Sequence, residues 1–388
     1  MNIAVAERMS GIGPFYVMDL LARARALEQQ GRSIIHMAVG EPDFVTPEPL
    51  TQAGIDALKA GKTHYTPAAG LPELRARLAT FYRDQLEVEV PAEHIIITPG
   101  ASGALQLALG VTVNPRERVM MADPGYPCNR HFVRMFGGEA QCVPVDSSSD
   151  YQLTAELIEQ QWTPETKAVM IASPSNPSGT MVDASEIAQI NAFVKQQGGV
   201  LIIDEIYAML SYEQPAYSLL ADAPDAFIIN SFSKYFGMTG WRLGWLIAPA
   251  AYVDAVDRLA QNIFLAAPTV AQHAALSAFE PETMQILASR REAFKARRDY
   301  LMPALQQLGF EITTKPPGAF YLYADCSRFT EDSHAFVLDV LEKAGVAITP
   351  GCDFGDHRAN QHVRFAYTTA IENLREGVAR LKGYLSSA

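Results

Sequence analysis

Three polar side chains follow short apolar segments of this chain. Asn176, Asp204 and Lys234 each come directly or shortly after a run of apolar residues that reads as a buried strand. In open parallel sheets, ligands bind outside the carboxyl ends of the strands. If the three strands are neighbours, we expect these side chains to converge on one cleft.

The chemistry of these side chains is complementary. A lysine amine such as that of Lys234 can form a Schiff base with an aldehyde cofactor. A carboxylate such as Asp204 can keep a pyridine nitrogen protonated, which turns the ring into an electron sink. The Asn176 amide and the nearby Tyr207 hydroxyl can both hydrogen-bond a phenolate oxygen and stabilise its charge.

A second group of residues suits a phosphate. Ser231 and Ser233 offer small hydroxyls, Arg242 offers a guanidinium, and residues 101–103 begin an apolar helix with open backbone amides. The sequence therefore predicts a site for an aldehyde cofactor that carries a phosphate.

Residues 231–244, SFSKYFGMTGWRLG, resemble the lysine-site motif of the class I and II aminotransferases, which are fold type I, aspartate aminotransferase-like enzymes that use pyridoxal 5′-phosphate (PLP). The resemblance runs over nearly the whole chain and keeps the family's order. The other matching segments are GEPDF at 40–44, YTPAAG at 65–70, NPSG at 176–179, DEIY at 204–207, PGAFY at 317–321 and RFA at 364–366.

The resemblance implies a role for each residue around the cofactor ring. Lys234 is the Schiff-base lysine, and it moves a proton between the substrate Cα and the C4′ atom of the cofactor. Asp204 pairs with the pyridinium nitrogen, whereas Asn176 and Tyr207 contact the phenolic oxygen. Tyr126 stacks on the face of the ring.

The resemblance also implies the phosphate and substrate contacts. The residues expected to hold the phosphate are Ala101, Ser102, Ser231, Ser233 and Arg242. Tyr65 is expected to reach the phosphate in the neighbouring subunit, which makes the working unit a homodimer with shared active sites. Arg364 is expected to grip the substrate α-carboxylate as a bidentate fork, with Gly40 and Asn176 nearby.

The order of predicted elements indicates an α/β protein of two domains. Alternating apolar strands and helices predict a large domain over 40–282, with a mostly parallel, seven-stranded-type sheet sandwiched by helices. Residues 1–39 and 283–388 are expected to form a smaller α+β domain built from both termini.

Composition and sequence pattern argue against several other classes of protein, namely nucleic-acid-binding, membrane-spanning, secreted and metal-binding proteins. The net charge of −12 and the lack of a Lys/Arg run argue against a nucleic-acid partner. No apolar run is long enough to cross a bilayer. The start of the chain does not resemble a secretory signal. The four cysteines suit neither zinc nor a disulfide framework, so we expect no metal and a cytoplasmic protein with free thiols.

The predicted activity is reversible, ping-pong transfer of an amino group from an L-amino acid to a 2-oxo acid. Two alternatives stay open at this stage. Related PLP enzymes catalyse elimination at a C–S bond with a similar site, and some transcription regulators use such a domain as a non-catalytic sensor.

The specificity for the amino donor is predicted from the cationic and aromatic residues expected near the site. A dicarboxylic donor needs a second cation, and the nearest candidates are Arg130 and Arg134. Phe15, Tyr16 and Phe264 could instead line an apolar pocket. We therefore expect neutral or apolar donors to be at least as good as aspartate.

Overall fold

The computed structural model describes residues 5–387. The helices, numbered in chain order, are α1 Tyr16–Gln29, α2 Glu48–Lys59, α3 Pro72–Leu86, α4 Gly100–Thr112, α5 Pro127–Met135, α6 Ala155–Gln161, α7 Ala184–Gln196, α8 Val253–Ile263, α9 Thr269–Ala275, α10 Pro281–Leu308, α11 Ser333–Ala344 and α12 Ile371–Ser387. The strands are β1 Ile35–His36, β2 Ile95–Thr98, β3 Arg118–Asp123, β4 Glu139–Pro144, β5 Thr166–Ala172, β6 Val200–Asp204, β7 Phe227–Ser231, β8 Gly244–Ile247, β9 Tyr321–Asp325, β10 Val346–Ala347, β11 Thr349–Pro350 and β12 His362–Ala366.

The main sheet within the described residues has seven strands in the order β2-β8-β7-β6-β5-β3-β4. Strands β7, β6, β5, β3 and β4 pair in parallel, whereas β8 runs antiparallel to both of its neighbours. The predicted fold class, a mostly parallel sheet of seven strands flanked by helices, is confirmed.

Both faces of this sheet are buried, as the continuous apolar strands predict. Along β6, Leu201 and Ile203 pack in one hydrophobic cluster, whereas Val200 and Ile202 pack in another. Successive side chains of a strand point to opposite faces, so the two clusters lie on the two sides of the sheet. The carboxyl ends of β5, β6 and β7 consequently meet at one edge between two layers.

The smaller part of the molecule combines both ends of the chain. Strands β11, β12 and β9 form an antiparallel sheet in that order, and β1 pairs in parallel with β10. The expected α+β part built from both termini is therefore present. The exact domain boundaries at 40 and 282 stay a prediction, and residues 1–4 and 388 of the smaller domain lie outside the described residues.

Some sequence-based expectations were wrong. Strand β8 was not foreseen, because it is only four residues long and begins at Gly244, the last residue of the lysine-site motif. The charged amphipathic pattern over 290–308 predicts a helix that begins at Arg290, whereas α10 begins at Pro281, where a proline in the first turn costs no hydrogen bond. The apolar run at 34–39 predicts a strand, but β1 spans only Ile35–His36. The pattern also predicts a strand at Ile312, which lies outside any strand.

Candidate active site

A cavity of about 220 Å³ lies beyond the carboxyl ends of β5, β6 and β7, beside the start of α4. The predicted site residues that line it are Gly40, Ala101, Ser102, Tyr126, Asn176, Asp204, Tyr207, Ser231, Ser233, Lys234, Arg242 and Arg364. Tyr65 does not line it, and its side chain is 83% exposed. The structure therefore brings together every predicted site residue except the one expected to serve a second subunit.

Lys234 follows β7 and extends its amine into the cavity. Its Nζ atom donates a hydrogen bond of 2.7 Å to the carbonyl oxygen of Gly40. Burial lowers the pKa of Lys234 to about 8, since removal of water disfavours the ammonium form. The amine therefore loses its proton more readily near neutral pH than an exposed lysine does.

Asp204 is the last residue of β6 and is buried. Its Oδ1 atom accepts a hydrogen bond of 3.0 Å from the backbone N–H of Ile206. Burial raises the pKa of Asp204 to about 6, although this hydrogen bond and the positive charge of Lys234 oppose the rise. A cationic partner in the cavity would hold this carboxyl group in its ionised form.

Tyr207 lies just beyond β6, and its hydroxyl is 2.8 Å from the hydroxyl of Tyr321. Burial is the main cause that raises the pKa of Tyr207 well above its ordinary value, so the phenol stays protonated. Tyr321 also lines the cavity, yet no role was predicted for it. The segment PGAFY at 317–321, singled out only as part of the resemblance, was the signal that could have identified it.

The residues predicted for a phosphate form a compact group. The Ser231 hydroxyl donates to the Ser233 hydroxyl at 2.9 Å. The backbone of β8 packs so closely on the start of α4 that a Cβ atom on Gly244 would lie 2.9 Å from the Ala101 nitrogen. Arg242 reaches the same helix start, since its Nη2 atom lies 2.8 Å from the position of a Cβ on Gly100.

Arg364, on β12, enters the cavity from the smaller part of the molecule. It donates 2.7 Å to Asn176 Oδ1 and 2.5 Å to the carbonyl oxygen of Ala38, and its guanidinium lies between the rings of Tyr321 and Phe354 at 4.3 Å and 4.7 Å. Its Nε atom is buried and has no acceptor among the described residues. The fixed guanidinium therefore retains donor capacity for a carboxylate.

Of the three aromatic residues expected near the substrate, one lines the cavity and two do not. Phe15 lines the cavity and packs edge-on against Tyr126, with ring centroids 6.5 Å apart. Tyr16 does not line it, because its ring packs against His334 at 5.2 Å. Phe264 also lies outside it, beside Gly103 in the first turn of α4. Only Phe15 of this group thus fits the predicted apolar pocket within one chain.

Neither a membrane-spanning helix nor a cluster of metal ligands occurs within residues 5–387. No helix in that range has the length and apolar character that a membrane span needs. The same part of the chain has no cluster of three or more His, Cys, Asp or Glu side chains arranged for a metal ion.

The sequence and the structure of this chain are similar to those of known proteins. The family model described as aminotransferase class I and II matches residues 32–381. The (5-formylfuran-3-yl)methyl phosphate transaminase of Methanocaldococcus jannaschii is 37% identical, over 98% of this chain and 100% of its own. The valine–pyruvate aminotransferase of Mycobacterium tuberculosis is 35% identical, over 97% and 98%. A crystal structure of an aminotransferase from Mycobacterium tuberculosis superposes with a TM-score of 0.96 at 35% identity, covering all of both chains.

Proposed function

This chain belongs to the class I and II aminotransferase family and is an enzyme that transfers amino groups; from that premise we propose that it uses PLP to move an amino group from an L-amino acid to a 2-oxo acid. Members of this family generally depend on PLP and use amino-acid and oxo-acid substrates. The observation that carries the proposal is the convergence of twelve predicted residues on one cavity.

The donor set of the cavity fits each part of the cofactor. Lys234 would hold the aldehyde as a Schiff base, and the buried Asp204 would face the pyridine nitrogen. Asn176 and Tyr207 would hydrogen-bond the phenolic oxygen, and Tyr126 would cover the face of the ring.

The phosphate fits the group at the start of α4. Open backbone amides of that helix attract an anion because of their direction and the helix dipole. The side chains and backbone that would hold the phosphate are those of Ala101, Ser102, Ser231, Ser233 and Arg242. Glycine at position 244 lets β8 approach the start of α4 this closely, because a side chain there would collide with the backbone of Gly100 and Ala101.

The bound ring supplies an electron sink for negative charge on the substrate Cα. The residues of the chain do the remaining work. Arg364 would bind the α-carboxylate, because its guanidinium is already oriented by Asn176 and by two aromatic rings. Lys234, with its pKa lowered to about 8, can accept a proton at Cα and return it as an acid near neutral pH.

A single half-reaction tests the proposal. Purified protein loaded with PLP and mixed with one amino acid should release the matching 2-oxo acid and leave pyridoxamine phosphate in equal amount. Elimination would instead release ammonia while the cofactor returned to its aldehyde form. Release of ammonia without pyridoxamine phosphate would contradict the proposed function.

We also propose that the working unit is a two-fold dimer with shared sites. Tyr65 supports this arrangement, because its side chain is exposed and is thus accessible to a second copy. A cytoplasmic location is part of the proposal, since the four cysteines, all within the described residues, are free thiols.

A further inference from the structure

The first turn of α1 forms an apolar wall of the active-site cavity. Val17 and Met18, from that turn, and Phe15, directly before it, line the cavity together with Val39 and Leu105. Val17 is buried, so its position depends on how the turn is packed. A substrate side chain that reaches this wall would meet apolar atoms.

The cations of the cavity are already assigned under the proposed function. Among the described residues that line it, the Lys and Arg side chains are Lys234, Arg242 and Arg364. These would serve the aldehyde, the phosphate and the α-carboxylate. Arg134 does not line the cavity, and Arg130 lines an adjoining pocket that shares Tyr126, Ala172 and Asn176 with it. Arg130 donates to the Asp353 carbonyl oxygen there. Within the cavity itself, a second substrate carboxylate would lose water without meeting an unassigned cation, which is costly.

The start of α1 is held by a distant carboxylate. Phe15, at the N-cap position, has no side-chain oxygen to cap the helix. Instead Asp353 Oδ1 accepts a hydrogen bond of 2.9 Å from the backbone N–H of Tyr16, the first residue of α1. The contact links positions that are 337 residues apart in the chain.

Burial of the Asp353 carboxylate costs free energy that burial of an apolar side chain would not cost. It is 2% exposed, and its Oδ2 atom is buried without a hydrogen-bond partner among the described residues. Burial raises its pKa to about 6, opposed by the charge of Arg364, by the bonds from α1 and by Arg130. Arg130 also donates 3.3 Å to the Asp353 carbonyl oxygen. A buried carboxylate in this setting indicates a specific task.

We propose that Asp353 is a positioning residue for donor selection: it fixes the first turn of α1 against the cavity, and the resulting wall favours apolar amino donors over dicarboxylic ones. The inference rests on the proposed function, because it assumes that the substrate α-carboxylate binds Arg364. It also assumes that a leucine-like side chain, unlike the methyl group of alanine, extends from there to the wall.

Unreactive acids test this wall without turnover. Propionate, 4-methylpentanoate and succinate correspond to alanine, leucine and aspartate without the amino group. Their dissociation constants are measured on the PLP-loaded enzyme by calorimetry. A buried methylene is worth about fourfold in affinity, so we expect 4-methylpentanoate to bind at least about tenfold more tightly than propionate. Succinate should bind no more tightly than propionate.

Variants assign the effect to Asp353. Asp353→Ala should reduce the preference for 4-methylpentanoate over propionate to below about threefold, since the wall is no longer fixed. Asp353→Asn removes the same negative charge near Arg364 but keeps an acceptor for the Tyr16 N–H. The asparagine variant should therefore preserve the preference, and it measures how far the lost charge alone changes propionate binding. If the alanine variant does not fold, Asp353→Ser, which is too short to reach that N–H, takes its place.

A matched control separates this role from helix capping in general. Thr154 caps α6 by accepting from the Leu157 N–H, and it does not line the cavity. Thr154→Ala should lower the thermal midpoint and leave the acid preference unchanged. In donor kinetics, Asp353→Ala should raise KM for leucine more than KM for alanine when both are compared with Asp353→Asn, which lacks the same charge.

Two results would overturn the inference. One is an Asp353→Ala enzyme that keeps the full preference for 4-methylpentanoate. The other is succinate binding more than about tenfold tighter than propionate to the unaltered enzyme, which would reveal another cation. Failure of the proposed function is distinct, because an enzyme that transaminates no donor still yields dissociation constants for the three acids.

Discussion

Replacing Arg364 by lysine tests the substrate end of the site most directly. The change keeps a positive charge but removes the planar fork and its stacking between Tyr321 and Phe354. A hydrogen bond to a charged group contributes about 1.5–3 kcal/mol. If lysine retains one of the two bonds to the carboxylate, the loss is about 1.5–3 kcal/mol. That loss corresponds to a fall of roughly 10- to 150-fold in kcat/KM.

The assay is the half-reaction with one amino acid, followed through the cofactor absorbance. Arg297 provides a control, because it is also buried, binds Asp43 through two nitrogens at 2.8 and 2.9 Å, and lies over two aromatic rings. Arg297→Lys should therefore lower stability by a comparable route without changing KM selectively. A kcat/KM of Arg364→Lys within about threefold of the unaltered enzyme would refute the assigned role.

Four further predictions concern other residues. Asp204→Ala should keep the fold and lose about 3 kcal/mol or more of transition-state stabilisation, because the pyridine nitrogen would no longer stay protonated; kcat of the half-reaction measures this. Lys234→Ala should bind PLP and lose nearly all turnover, and borohydride should no longer fix the cofactor. In the cofactor-free enzyme, PLP incorporation should speed up as pH rises through about 8, because the lowered pKa of Lys234 leaves more neutral amine above that value; absorbance follows it. Mixing Lys234→Ala with Tyr65→Phe subunits should give heterodimers with one intact site, seen as recovered activity.

Each of these predictions has a contrary outcome. A change below about tenfold in Asp204→Ala would count against an electron-sink partner. Full transamination by Lys234→Ala would remove the lysine from the mechanism. A rate of incorporation that stayed flat between pH 6 and 10 would show that the lysine amine does not limit the reaction. An active monomer in sedimentation would disprove the shared site around Tyr65.

Local patterns were sufficient to predict most of the fold and most of the cavity. The apolar strands β5, β6 and β7 are continuous and buried, so their carboxyl ends, and hence Asn176, Asp204 and Lys234, could be located from sequence spacing. Strand β8 was missed because four residues carry too little periodicity to separate a strand from a loop.

The remaining contacts depend on tertiary structure. Tyr321 meets Tyr207 across 114 residues, and Asp353 meets the start of α1 across 337. Neither contact produces a pattern among neighbouring residues of the sequence. A contact between residues so far apart in the chain is determined only by the tertiary structure. Tyr65 belongs to the same class, because its predicted partner lies in another subunit.

The antiparallel strand β8 affects how the protein can fold while the ribosome synthesises it. In the described sheet β2 pairs with β8 alone, and about 150 residues separate Ile95 from its partner Ile247. At 5–20 residues per second, β2 waits roughly 8–30 s after its own synthesis for that partner. Its apolar residues, Ile95, Ile96 and Ile97, are exposed to other chains during this interval. The nascent chain therefore has a period of aggregation risk that ends only when β8 has left the exit tunnel and joined the sheet.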